Sequence, residues 1–142
     1  MILYSFTNDE IPAFDPEFFV SVLPKLIQVE EKEIGEISII FTDDTHLLSI
    51  NQEYLNHDYF TDIITFDYSQ GNYISGDLFI SIELVIENAK QFEKELFNEL
   101  CRVVFHGVLH LCGYNDKTES EIVLMRSKED FYIDNFVSRE PK

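Results

Sequence analysis

Hydrophobic and polar positions along the chain switch repeatedly between a two-residue alternation, the mark of a half-buried strand, and the 3.6-residue recurrence of an amphipathic helix. Ile2 to Phe6 predicts a short strand. Asp15-Pro16-Glu17 then supplies an N-cap, a proline at the first helical position and an acid suited to the helix dipole, so a helix is predicted from there toward Glu31. Pro24 interrupts its pattern, since a proline inside a helix removes a hydrogen bond, and Gly35 closes the segment. The β-branched stretch Glu36 to Phe41 predicts a second strand. Thr42-Asp43-Asp44 then caps a short helix over Thr45 to Tyr54, with Leu47, Leu48 and Ile50 toward the core.

Asp62 to Phe66 and Tyr73 to Ser81 read as strands separated by the turn Ser69-Gln70-Gly71-Asn72, which makes them a hairpin and one pair of the sheet antiparallel. Ile82 to about Phe97 and Asn98 to Cys112 predict two helices, the second closed by Gly113, and a last helix covers roughly Ser120 to Phe136 behind Thr118-Glu119. Residues 1–142 thus predict one α+β domain: a small mixed sheet of about four strands packed with about five helices. Composition agrees, because 45% hydrophobic residues, among them 13 Phe and 7 Tyr, are enough for a proper core. The N-terminal residues lack a basic segment and a continuous apolar run, which predicts no signal peptide, no membrane partner and a cytoplasmic protein. Cys101 and Cys112 stand about 16 Å apart along one predicted helix, too far for a disulfide.

The candidate chemistry sits in His106-Gly107-Val108-Leu109-His110-Leu111-Cys112-Gly113-Tyr114-Asn115-Asp116. Residues four apart project from one helical face, so His106 and His110 can reach a single ion. Gly113 lets the chain reverse directly after the helix and carry Asp116 back over that face. Two imidazoles and a carboxylate leave one coordination position open for water, the arrangement of a catalytic rather than a structural metal. Cys112 is the competing third ligand but points some 200° away from His110 around the helix. The same rhythm occurs in the helix of metzincin proteases, whose general base is a Glu after the first His. Here that position is Gly107, which removes the base and disfavours a metallopeptidase.

These residues resemble the YbeY family of bacterial metal-dependent endoribonucleases, whose signature is His-Gly-x-Leu-His-Leu-x-Gly-Tyr-Asp-His. Two further blocks are similar to that family: Ile50-Asn51 through Tyr54 with Asp58 and Thr61-Asp62-Ile63-Ile64-Thr65-Phe66, and Gly76-Asp77-Leu78-Phe79-Ile80-Ser81. The resemblance covers about residues 36 to 130. It implies a single-strand-specific endoribonuclease of ribosomal RNA maturation, at the 16S 3′ end, and of ribosome quality control. One divalent ion, zinc first, would be held by His106, His110 and Asp116, and the partners would be RNA in the ribosome or its precursor, with ribosomal proteins. Two departures stand out. Asp116 replaces the family's usual His, a set that also suits iron or manganese, and Leu55 stands at a position usually held by an Arg, with His57 two residues on as a partial substitute.

Asp62 and Asp77, at strand ends, are the candidate general bases. A different class of reading, a metal-stabilised ribosome-assembly factor with little turnover, draws on Leu55 and on the charge. Ten basic against 27 acidic residues give −17, which excludes RNA binding by a basic surface. Recognition would rest on the metal, on cations such as Lys90, Lys94, Arg102 and Lys117, or on a partner, and activity on free RNA would be weak and salt-sensitive.

Overall fold

The computed structural model describes residues 1–7, 14–54 and 62–137. Its elements run β1 (Ile2–Phe6), α1 (Glu17–Val29), β2 (Glu33–Thr42), α2 (Asp44–Tyr54), β3 (Ile63–Asp67), β4 (Tyr73–Ser81), α3 (Ile82–Gln91), α4 (Leu96–Leu111) and α5 (Glu119–Phe136). The four strands lie in the order β1-β2-β4-β3. β1 pairs with β2 and β2 with β4 in parallel, and β3 pairs with β4 antiparallel as the hairpin pattern requires. The sheet is therefore mixed, and the domain has the α+β character expected of its sequence.

Alternation along β4 sorts the two faces. Ile74, Gly76, Leu78 and Ile80 are buried on one side, whereas Ser75, Asp77 and Phe79 are only half-buried on the other. The first side carries the main core, in which α1 and α4 pack on the sheet and α3 and α5 on α4. The second side is covered by α2 through Leu47 and Ile50, which meet Ile64, Phe66 and Phe79 in a smaller cluster. The Asp43 carboxylate caps α2 by accepting from the His46 N–H at 2.7 Å.

Helix α4 is the central rod. Leu100, Cys101, Val103, Val104, Phe105, Val108, Leu109 and Leu111 are buried along it, and it approaches the sheet closely at two glycines. A Cβ at Gly107 would stand 2.8 Å from Ile63 Cδ1 and 2.9 Å from Leu78 Cδ2, and one at Gly76 of β4 would lie 2.7 Å from Leu111 Cδ2 and 2.4 Å from the Phe66 carbonyl. Seated this deep, α4 leaves Arg102, His106 and His110, spaced four apart, on a half-buried strip facing away from the sheet.

Element boundaries differ from the predicted ones where the ends lack glycine. The run from Ile82 breaks after Gln91 instead of near Phe97, and α4 starts at Leu96. Glu93 adopts φ 53°, with its N–H on the Lys90 carbonyl and the Lys94 N–H on the Ala89 carbonyl. That is a Schellman closure with a Glu where glycine is usual. Helix α1 closes the same way on Glu31, φ 61°, and continues unbroken through Pro24. β2 begins at Glu33 and runs through Gly35, with its register against β4 shifting between Ile34 and Ile37.

Candidate metal centre

The C-terminal end of α4 forms the site. Gly113, at φ 110°, follows the helix, donating its N–H to the His110 carbonyl while Tyr114 donates to Leu109. This Schellman turn reverses the chain toward α5, whose start is fixed by a capping box: the Thr118 hydroxyl accepts from the Glu121 N–H, and the Glu121 carboxylate accepts from the Thr118 N–H. Between these two fixed ends, Asp116 returns over α4. Its Oδ2 lies 3.2 Å from His106 Nε2 and 3.4 Å from His110 Nε2.

One donor atom from each of His106, His110 and Asp116 falls within 4.8 Å of the others, the one such metal-capable group among the described residues. Donors about 2.1 Å from a tetrahedral ion are separated by about 3.4 Å from one another. The two His–Asp distances match that spacing, so these three side chains could hold one ion. Cys112 stays out of the group, packs at the edge of the core and has its thiol pushed up by burial to about 12.

Behind His106 stands a residue that the sequence pattern did not single out. Glu129 of α5 is 4% exposed, and its Oε2 lies 2.6 Å from His106 Nδ1. Glu129 Oε1 in turn accepts from Arg102 Nη1 at 2.9 Å, and Arg102 Nη2 donates to Asp130 at 2.6 Å. A carboxylate on Nδ1 fixes the ring with its Nδ1–H donated backward and Nε2 free to ligate, the usual support of a metal-binding histidine. Burial by itself would lower the His106 pKa. The Glu129 carboxylate outweighs it and holds the imidazole above its ordinary range, so a metal would compete with a proton there. A signal for Glu129 does exist in the sequence: it recurs at helical spacing with buried Met125, Tyr132 and Ile133, an acid within an apolar face.

An open cleft of about 370 Å³ begins at His106 and Asp116 and is bounded by Asp62, Asn88, Phe92 and Arg126 among others. Of the two candidate bases, the structure brings Asp62 into this cleft. Burial pushes its carboxyl up against the opposing pull of His106, and the Asn88 amide donates to it at 3.4 Å. Asp77 lines a different depression with His46 and Tyr68 on the α2 side of the sheet. Arg102 is committed to Glu129 and Asp130. Leu55 and His57 lie outside the described residues.

Position 107 also explains the missing protease base. It faces Ile63 and Leu78 of the sheet, not the cleft, so a Glu there would be driven into the core.

Residues 8–137 match the family model of endoribonuclease YbeY. The chain is 55% identical over 118 residues to the endoribonuclease YbeY of Flavobacterium johnsoniae, covering 83% of this chain and 85% of that one. It is 45% identical over 130 residues to that of Phocaeicola vulgatus, covering 92% and 94%. Its fold is similar to the solution structure of a Thermotoga maritima protein, with a TM-score of 0.64 and 20% identity over 97% of this chain and 93% of that one. The signature around His106 and His110, the family model's span and these relatives agree: the chain belongs to the YbeY family of endoribonucleases.

Proposed function

We propose that the chain is a metal-dependent endoribonuclease that cleaves single-stranded RNA. Its biological substrate would be ribosomal RNA near the 16S 3′ end, met in the cytoplasm on the ribosome or its precursor, with ribosomal proteins as neighbours. Membership of the family supports this reading, as does the absence, among the described residues, of any helix long and apolar enough to cross a membrane. The observation that carries it is the convergence of His106, His110 and Asp116, two of which, His106 and Asp116, line an open cleft.

A divalent ion held by these three side chains would supply Lewis-acid activation of a phosphate oxygen and of water. Zinc is our first choice, and two imidazoles with a carboxylate also suit iron or manganese. Glu129 orients His106, and Arg102 holds Glu129. Asp62 is the group we assign as proton acceptor. Asp62 lines the cleft with His106 and Asp116 and accepts from the Asn88 amide at 3.4 Å; Glu99 lines the cleft too and is likewise raised by burial. Asp62→Asn should lower kcat about 10²- to 10⁴-fold while zinc affinity stays at the wild-type value.

The decisive experiment incubates the zinc-loaded protein with unstructured RNA and, separately, with casein. RNA cleavage that is lost in folded His106→Ala and Asp116→Ala variants, with casein intact, establishes the nuclease. Proteolysis abolished by His110→Ala with RNA intact would replace it with a peptidase, and zinc binding without turnover would make the protein an assembly factor.

A further inference from the structure

We propose that the cleft beside the metal ligands contains a nucleobase subsite: an unstacked base of the RNA strand lies on the Phe92 ring, and the adjoining phosphate meets Arg126. The inference rests on the nuclease reading and adds to it the means by which a strongly acidic protein grips RNA.

Charge defines the problem. At −17 the molecule cannot hold a phosphate backbone by a basic surface, and both Nη groups of Arg102 are engaged by Glu129 and Asp130. Arg126 is the other arginine of the cleft. Its side chain is 67% exposed, and its Nε sits 3.7 Å from Glu129, close enough to be steadied but too far for a hydrogen bond. One cation beside the metal ligands can position a phosphate but supplies little affinity. The missing affinity must come from a contact indifferent to charge.

Phe92 offers one. It lines the same cleft as His106 and Asp116 yet remains 57% exposed, and no aromatic ring among the described residues packs against it. Its backbone is anchored at the end of α3: the Phe92 N–H is bonded to the Asn88 carbonyl at 2.9 Å, and the Lys94 N–H closes the turn on Ala89 at 2.8 Å. Ile122, 45% exposed on α5, lines the cleft as a second apolar surface. An exposed aromatic face in the same cleft as His106 and Asp116 is what single-stranded RNA recognition uses, because an unstacked base lays its π-face on such a ring and a paired base cannot. The subsite therefore accounts for a preference for single strands without calling on the net charge.

The test measures equilibrium binding of zinc-loaded protein to a short fluorescein-labelled strand with 2′-O-methyl riboses and phosphorothioate linkages, which resists cleavage. A matched strand of abasic units serves as the comparison. Phe92→Ala should weaken binding of the base-bearing strand about 5- to 150-fold and leave the abasic strand unchanged, and Phe92→Trp should restore it. Arg126→Ala should weaken both strands equally, since both carry the phosphates. Wild-type affinity in Phe92→Ala, an equal loss on both strands, or no measurable binding by the wild type would each overturn the proposal. Cleavage of an unmodified strand is followed in parallel. Turnover that is indifferent to Phe92 removes the subsite alone, whereas Phe92-dependent binding without turnover removes the nuclease reading alone.

Discussion

Glu129 shows how much one side chain outside the signature motif contributes. Its carboxylate joins His106 of α4 to Arg102 one turn earlier on the same helix, so removing its charge loosens the ring that must present Nε2. Glu129→Gln should reduce zinc affinity about 10- to 100-fold, read by competition with a chromophoric chelator, with the far-ultraviolet dichroism unchanged. Gly107 is informative for the opposite reason, since it touches no ligand. Restoring the protease-type Glu there would press a charged side chain between Ile63 and Leu78. Gly107→Glu should therefore destabilise the domain by at least about 3 kcal/mol in urea titrations and produce no casein hydrolysis.

At the scale of the element, helix ends decide what reaches the site. The closure of α4 on Gly113 and the capping box of α5 hold the two ends of the short connection that carries Asp116, and both ends were legible in the chain as Gly113 and Thr118-Glu119. The ends of α1 and α3 were not. Each places a Glu, not a glycine, in the left-handed region, at a cost of about 1–2 kcal/mol that only the surrounding structure can impose. Glu31 is exposed, and its backbone carries its hydrogen bonds, the N–H donating to the Gln28 carbonyl and the carbonyl accepting from Asn72. Glu31→Gly should consequently raise stability by about 0.5–1 kcal/mol, the strain relieved less the glycine entropy lost. Thermal unfolding would show this as a modest increase in Tm.

Across the whole molecule, Glu30 ties the two ends of the fold to the site. Its side chain is 7% exposed, and it accepts from Tyr114 in the turn after α4 and from Tyr132 of α5, with Lys128 3.3 Å away. Burial pushes its carboxyl up, but the hydrogen bonds from Tyr132 and Tyr114 and the Lys128 charge prevail and hold it below the ordinary glutamate range. A folded pKa lowered in this way adds stability above the unfolded pKa, and that stability disappears as pH falls through the folded value. The Glu30 contribution to the unfolding free energy should therefore fall on acidification below about pH 4.5, and Glu30→Gln should be less stable at neutral pH while showing a flatter acid limb. An acid limb of unchanged slope in Glu30→Gln would show that other carboxylates dominate. The same clamp holds Tyr114, two residues before Asp116, which makes the turn that carries Asp116 part of the fold's long-range packing. The sequence by itself determined the mixed sheet, the central helix, the grouping of His106, His110 and Asp116 that could hold a metal, and the exclusion of a basic RNA-binding face, because periodicity, capping patterns, i to i+4 spacing and net charge are all local or additive properties of the chain. Only the tertiary structure decided that Glu129 backs His106, that Arg102 is committed to Glu129 and Asp130, that Asp62 and not Asp77 enters the cleft, and that Phe92 faces it. Each of these depends on side chains from elements far apart in sequence being brought together by burial of the core, and no local pattern encodes that distance.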